Sequence, residues 1–428
     1  MRIEPINPSP LGDGDGQPPA HTYGRGLTRV RRFFAAAAIL WLNVCLLFIA
    51  ANVAAYLVLT LLPAADPMPA AAAHIGAALH QVFPDLKDED FVQLMREHAR
   101  EFAYEPFTEF REKPSSGRYV NVDANGFRHS REQGPWPPTD ASFNVFVFGG
   151  STAFGIGVPD DQTVASHLQA ILATRRDADR PVRVYNFGRG AYYSSQERAL
   201  FERLLVAGHV PDLAIFLDGL NDFFFYDGDR PALTQVLEQL LEQTVPAPVG
   251  MGVALRPEKR GLAYTTLINA LPVVKLLARW RWTPAQRNVM LWRPGGEQAR
   301  RPAYDDAAVS NWVIARYAAN RKLIDSAAAA MGVTAVFVWQ PVPLYKYDLR
   351  YHQYQGDFGR YEYLRFGYPR MAEYVRRQPQ GTNFIWCADI QEELHELLYV
   401  DQVHYSPKMS ERVARCIADQ MRQRRLTQ

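Results

Sequence analysis

Residues Asn144–Gly157 read NVFVFGGSTAFGIG, and the interpretation of this stretch decides the fold. A short apolar run rich in Val and Phe, closed by Gly149-Gly150, has the length and composition of a buried strand. The glycines then turn the chain and leave Ser151 at the carboxyl end of that strand. A P-loop needs Gly-Lys-Ser/Thr here, which is missing. The glycines at 149, 150, 155 and 157 also miss the G-x-G-x-x-G spacing of a dinucleotide site. A lipase-type elbow, G-x-S-x-G, fails because Ala153 holds its last position. Taken alone, the stretch is a strand followed by a tight turn.

Further along the chain the same grammar repeats. Strand-like runs occur at Val182–Gly188 (VRVYNFG), Asp212–Gly219 (DLAIFLDG), Val333–Pro341 (VTAVFVWQP) and Asn383–Asp389 (NFIWCAD). Helix-like segments fall between and after them, at Asp161–Arg176, Ser194–Gly208, Asp306–Gly332 and Ser406–Arg425, the last with Ser406 or Ser410 as N-cap. Alternating strands and helices imply parallel pairing with right-handed crossovers, and ligands of such sheets bind at the carboxyl ends of the strands. Two segments break the rhythm. His74–Pro137 precedes the first strand and carries YEPFTEF and YVNVDANGFR. Tyr226–Pro302 is a long insertion, including ALTQVLEQLLEQ and TLINALPVVKLLARWRW, suited to a lid or substrate platform. The basic-apolar part of the insertion, with Trp280 and Trp282, reads as a packed amphipathic helix, with contact to membrane or an anionic glycan as the rival reading.

Phe33–Leu62 contains no charged residue, which is enough to cross a bilayer with tilt. Arg25, Arg29, Arg31 and Arg32 precede it, whereas PAADPMPAAAAHIG after it has no Lys or Arg. The positive-inside rule therefore keeps residues 1–32 as a disordered cytoplasmic tail and exports everything after the span. The apolar run is longer than the 7–15 residues of a cleaved signal, so an uncleaved single-pass anchor in the inner membrane is expected, with the rest periplasmic. Cys45 lies in the span without a lipoprotein context. Cys387 and Cys416 lie in the exported part and are either a disulfide or two buried thiols. The net charge of +2 gives no reason to expect a nucleic-acid partner, and no His/Cys cluster has metal spacing. The organisation expected is tail 1–32, anchor 33–62, lead-in 63–140 and an α/β domain 141–428 interrupted at about 226–305.

Chemistry enters from the far end of the chain. Asp401-Gln402-Val403-His404 puts an aspartate and a histidine three apart on a short loop. The carboxylate can bind one imidazole nitrogen and leave the other for a hydroxyl, which is the base and orienter of a serine triad. Gly219-Leu220-Asn221-Asp222 ends the third strand with a side-chain amide. The turn within Asn186–Glu197 (NFGRGAYYSSQE) offers backbone N–H groups.

With these four strand ends in this order, the chain resembles the SGNH (GDSL-like) hydrolase family. The matching blocks are FGGSTAFG, NFGRGAYYSSQE, DGLND and DQVH, covering about Asn144 to the C-terminus apart from the insertion. GRYVNVDANGFR is similar to the lead-in of membrane-anchored members. The resemblance implies a three-layer α/β/α fold with a mostly parallel sheet of about five strands. It implies Ser151 as nucleophile, His404 as general base and acid, and Asp401 as its orienter. The implied oxyanion hole is Ser151 N–H, the Asn221 side chain and Ala191 N–H, or Gly188 or Gly190 if the second block is shifted. The first block has Gly-Gly-Ser-Thr for Gly-Asp-Ser, and Ala191 stands where the family usually has glycine. The implied reaction is ester hydrolysis through an acyl-enzyme without cofactor or metal, on O-acyl groups of an envelope glycan or on a lipid. O-acyl transfer with the same triad, or a silent binding domain, are the alternatives.

Overall fold

The computed structural model describes residues 23–61, 80–84, 86–98, 102–174, 180–226, 271–281 and 304–426. The N-terminal tail before residue 23 and most of the insertion, including ALTQVLEQLLEQ and Trp282, lie outside the described residues. The chain divides into two compact units, one formed by 1–65 and 254–283, the other by 66–253 and 284–428.

In the first unit, α1 (Tyr23–Leu61) is one uninterrupted helix. Its stretch Val30–Leu61 is long and apolar enough to cross a membrane, and none of its most apolar window is buried. A core helix of a soluble domain would hide that surface. From the insertion, α7 (Pro272–Arg281) packs against α1.

The second unit is built on five parallel strands: β3 (Phe143–Gly149), β4 (Val182–Asn186), β5 (Leu213–Asp218), β6 (Thr334–Trp339) and β7 (Phe384–Trp386). Their order is β4-β3-β5-β6-β7. This is the 2-1-3-4-5 order of the flavodoxin-like doubly wound fold, so all five sequence-derived strands are present and parallel. Alternation along β3 sorts the core into two kinds of packing. Val145 and Val147 join Ile215, Leu217, Val336 and Val338 on one face, beneath α4 (Val164–Ala173) and the C-terminal α10 (Pro407–Gln423). Phe146 and Phe148 join Phe216 and Phe337 on the other, beneath α5 (Ser194–Val206), α8 (Ala307–Ala330) and α9 (Tyr363–Arg377). There Phe148, Phe216 and Phe337 stack across three strands with centroids 4.8 and 5.4 Å apart.

Ser406 caps α10 by accepting from Met409 N–H at 3.2 Å, and Ser410 lies inside the helix. Helix α9 was not among the helix-like segments, because Gly367 and Pro369 interrupt its pattern. Gly367 lies against Phe223, where a β-carbon would overlap the ring. Cys387, just after β7, is disulfide-bonded to Cys416 of α10, with Cα atoms 6.1 Å apart.

The lead-in is folded onto this unit. A short helix, α2 (Asp88–His98), contributes Phe91 and Leu94 to a cluster with Val120, Val122, Phe154 and Val158. A hairpin of β1 (Phe102–Glu105) and β2 (Glu109–Glu112) follows.

Candidate active site

Two one-turn helices and two loops meet at the carboxyl edge of the sheet. Ser151 begins α3 (Ser151–Phe154), directly after β3. The preceding Gly150 has a physical reason: a β-carbon there would overlap the Asn221 side-chain nitrogen. Asn221 sits on α6 (Leu220–Phe224), which follows β5. Its amide donates to Tyr192 O at 2.7 Å, so the nucleophile turn, the third block and the second block touch through one side chain. Asp222 is fully buried and fixes α6 by accepting from Ser194 Oγ at 2.6 Å and Gly219 N–H at 3.2 Å.

The second block runs beside the nucleophile strand, with Phe187 N–H and Arg189 N–H donating to Val147 O and Gly149 O. Its backbone donors are differently employed. Gly188 N–H is held by Asn186 Oδ1 at 3.0 Å, and Gly190 N–H by Glu112 Oε1 at 2.8 Å. Ala191 N–H has no acceptor among the described residues. Ala191 has φ +62°, the left-handed region that glycine tolerates best. The glycine expected from the resemblance is thus a backbone requirement, and alanine meets it at a strain of about 1–2 kcal/mol.

The last block is self-organised. Asp401 accepts from Val403 N–H and His404 N–H, both at 2.9 Å, through one carboxylate oxygen. Its other oxygen lies 2.6 Å from His404 Nδ1. The Asp401 side chain is 48% exposed, so the desolvation that pushes its carboxyl up is partial; the adjacent imidazole and those two N–H groups outweigh it and hold it at about 2. With Nδ1 engaged, the ring's Nε2 is the atom left to act.

What joins this loop to the serine is Gln340, which sequence reasoning missed. Its Oε1 accepts from Thr152 Oγ1 at 2.6 Å and from Tyr405 Oη at 2.9 Å. Thr152 follows Ser151 and Tyr405 follows His404, so one buried oxygen ties the two together. A polar residue immediately after the apolar strand TAVFVW was the available signal. Among the described residues no hydrogen bond links the Ser151 hydroxyl to His404.

The lead-in clamps the same region. Arg128, of the NGFR stretch, is fully buried and donates to Phe154 O, Gly155 O and Val158 O at 2.9, 2.6 and 2.7 Å, while pairing with Asp160 at 2.7 Å. From the hairpin, Glu105 binds buried Arg189 and also Arg203, and Phe110 O accepts from Tyr192 Oη. Burial would raise the Glu105 carboxyl, but Arg189 and the donors around it bring it below its ordinary value.

No group of three or more His, Cys, Asp or Glu side chains suited to a metal occurs among the described residues. No protein-family model and no curated protein matches the chain. Among solved structures, it is similar to TesA, at 13% identity over 66% of this chain and 99% of that one, with a TM-score of 0.33. A catalytic mutant of the acetylxylan esterase Axe2 from Geobacillus stearothermophilus gives 12% identity, 65% and 93% coverage and a TM-score of 0.34. A lipolytic protein of the G-D-S-L family from Veillonella parvula gives 11%, 64% and 96%, and 0.31.

Proposed function

We propose that this protein is an exported, membrane-tethered serine esterase that removes O-acyl groups from an envelope glycan or a lipid. The observation that supports the reading is the Gln340 bridge, which bonds Thr152, next to Ser151, and Tyr405, next to the His404 that Asp401 engages. In this reading His404 Nε2 takes the Ser151 proton as Oγ attacks the ester carbonyl, and Asp401 stabilises the imidazolium that results. The oxyanion is met by Ser151 N–H, Ala191 N–H and Asn221. A primary amide has two N–H donors, and Tyr192 O uses one of them, which leaves the other for substrate. Ala191 is assigned this role in preference to Gly188 or Gly190, whose N–H groups are already bonded. His404 then protonates the leaving alcohol, and water attacks the acyl-enzyme by the same route.

Export and tethering are supported by the unburied apolar helix, by the arginines before it, and by the Cys387–Cys416 disulfide, a bond that persists in oxidising compartments. Turnover of p-nitrophenyl acetate by the full chain tests the reading. Wild type is expected to hydrolyse it, and Ser151→Ala to lose at least about a thousandfold in kcat. Equal turnover by the variant would overturn the assignment.

A further inference from the structure

The insertion returns to the anchor. Helix α7 packs against α1, and Val273 N–H, in its first turn, donates to Asn52 Oδ1 at 3.2 Å. Asn52 also donates to Phe48 O at 2.9 Å in its own helix, so the amide is used on both sides. An asparagine in an apolar span is costly unless its polar atoms are bonded, and this one supplies a helix N-terminus with an acceptor.

The packing is written on the surface of α1. Along its last ten residues nearly every side chain is exposed, whereas Asn52 and Leu59 are partly withdrawn and Ala55 is buried. Spacings of three and four place these on one stripe, and a small residue at its centre lets a second helix approach closely. The exposed positions of α7 are mixed: Lys275 is exposed, and Leu277 is 54% exposed. Its sequence, PVVKLLARWR, alternates aliphatic, basic and Trp residues, the composition of helices that lie at a bilayer surface.

Depth follows from helix geometry. Arg32 and Asn52 are separated by about 30 Å of helix rise, which matches the hydrocarbon thickness of a bilayer. With the arginines at the cytoplasmic boundary, Asn52 falls at the opposite boundary.

We infer that α7 is an interfacial helix, docked through Asn52 on the outer end of the anchor, with its exposed face in the headgroup region of the membrane. The insertion then makes a second membrane contact through α7 itself. This rests on the anchored reading given above.

The test uses the full chain in membranes, in a Cys45→Ser background that keeps the Cys387–Cys416 bridge. Alkaline carbonate extraction comes first. A chain that is released overturns the anchor and this inference with it. For a retained chain, Asn52→Cys with Val273→Cys is oxidised by copper phenanthroline. Cross-linking at least about tenfold faster than for Asn43→Cys with Val273→Cys is expected from the raised effective concentration. Independently, Leu277→Cys carrying bimane is expected to be quenched by lipids spin-labelled near the headgroup and spared by aqueous iodide. A retained chain that cross-links no faster than the control, or whose bimane only iodide reaches, overturns the docking and leaves the anchor standing.

Discussion

Gln340 and Ala191 are the two residues of the candidate site on which the geometry bears most directly. Gln340→Leu leaves buried Thr152 without its acceptor, while Tyr405 keeps Pro341 O at 2.7 Å. An unmet buried hydroxyl costs about 1–3 kcal/mol. If that cost falls on alignment of Ser151 with His404, esterase kcat drops by about 5- to 160-fold with KM nearly unchanged, as steady-state kinetics would read; a matching rise in KM instead would make Gln340 a pocket residue. Ala191→Gly relieves the left-handed strain and gives back some chain entropy, so a net gain of about 0.5–1 kcal/mol is expected in urea unfolding. A loss would mean that the alanine methyl packs favourably enough to outweigh the strain. Ser151, Asn221, Asp401 and His404 are readable in the sequence as candidates, because each is a chemically distinctive side chain at a strand end. Gln340 stayed hidden because a lone Gln after a strand has no pattern, and its partners Thr152 and Tyr405 are far away in the chain.

At the level of elements, the five strands were legible from their Val, Ile and Phe runs, and four helices from their spacing. Helix α9 was masked by Gly367 and Pro369, which serve close packing on Phe223 and do not end the helix. The hairpin of β1 and β2 was equally hidden. Its strands are only four residues each, and its purpose is to present Glu105, Phe110 and Glu112 to the second block. The alternatives for Cys387 and Cys416 resolve in favour of the bond, which staples the end of β7 to α10. It closes a loop with a sequence separation of 29, and in the loop-entropy account this contributes about 3–4 kcal/mol. Cys387→Ala with Cys416→Ala is expected to lower urea stability by that order, whereas an unchanged midpoint would show that the bridge constrains little.

Across the whole molecule, buried carboxyls give stability an unusual pH dependence. Glu197 and Asp218 are almost completely buried, and each has one oxygen that no donor reaches. Burial, followed by the neighbouring carboxylates, pushes both well above the ordinary range. A protonated carboxyl supplies the missing donor. Because the folded state then holds protons that the unfolded state releases near pH 4, this contribution is full in acid and declines as pH rises toward the folded values. Asp401 acts in the opposite sense, losing its contribution as pH falls from about 4 toward 2. Unfolding midpoints measured from pH 4 to 9 should therefore fall less steeply in Glu197→Gln than in wild type; parallel curves would mean the pair is already ionised.

In the proposed esterase, His404 and Asp401 activate Ser151 across the Gln340 bridge. Labelling of the intact chain with a fluorophosphonate, read by mass spectrometry, tests it most directly. One adduct per chain on Ser151 is expected, abolished by Ser151→Ala and slowed at least about a hundredfold by His404→Ala. An adduct on another residue, or equal labelling of wild type and His404→Ala, would contradict it.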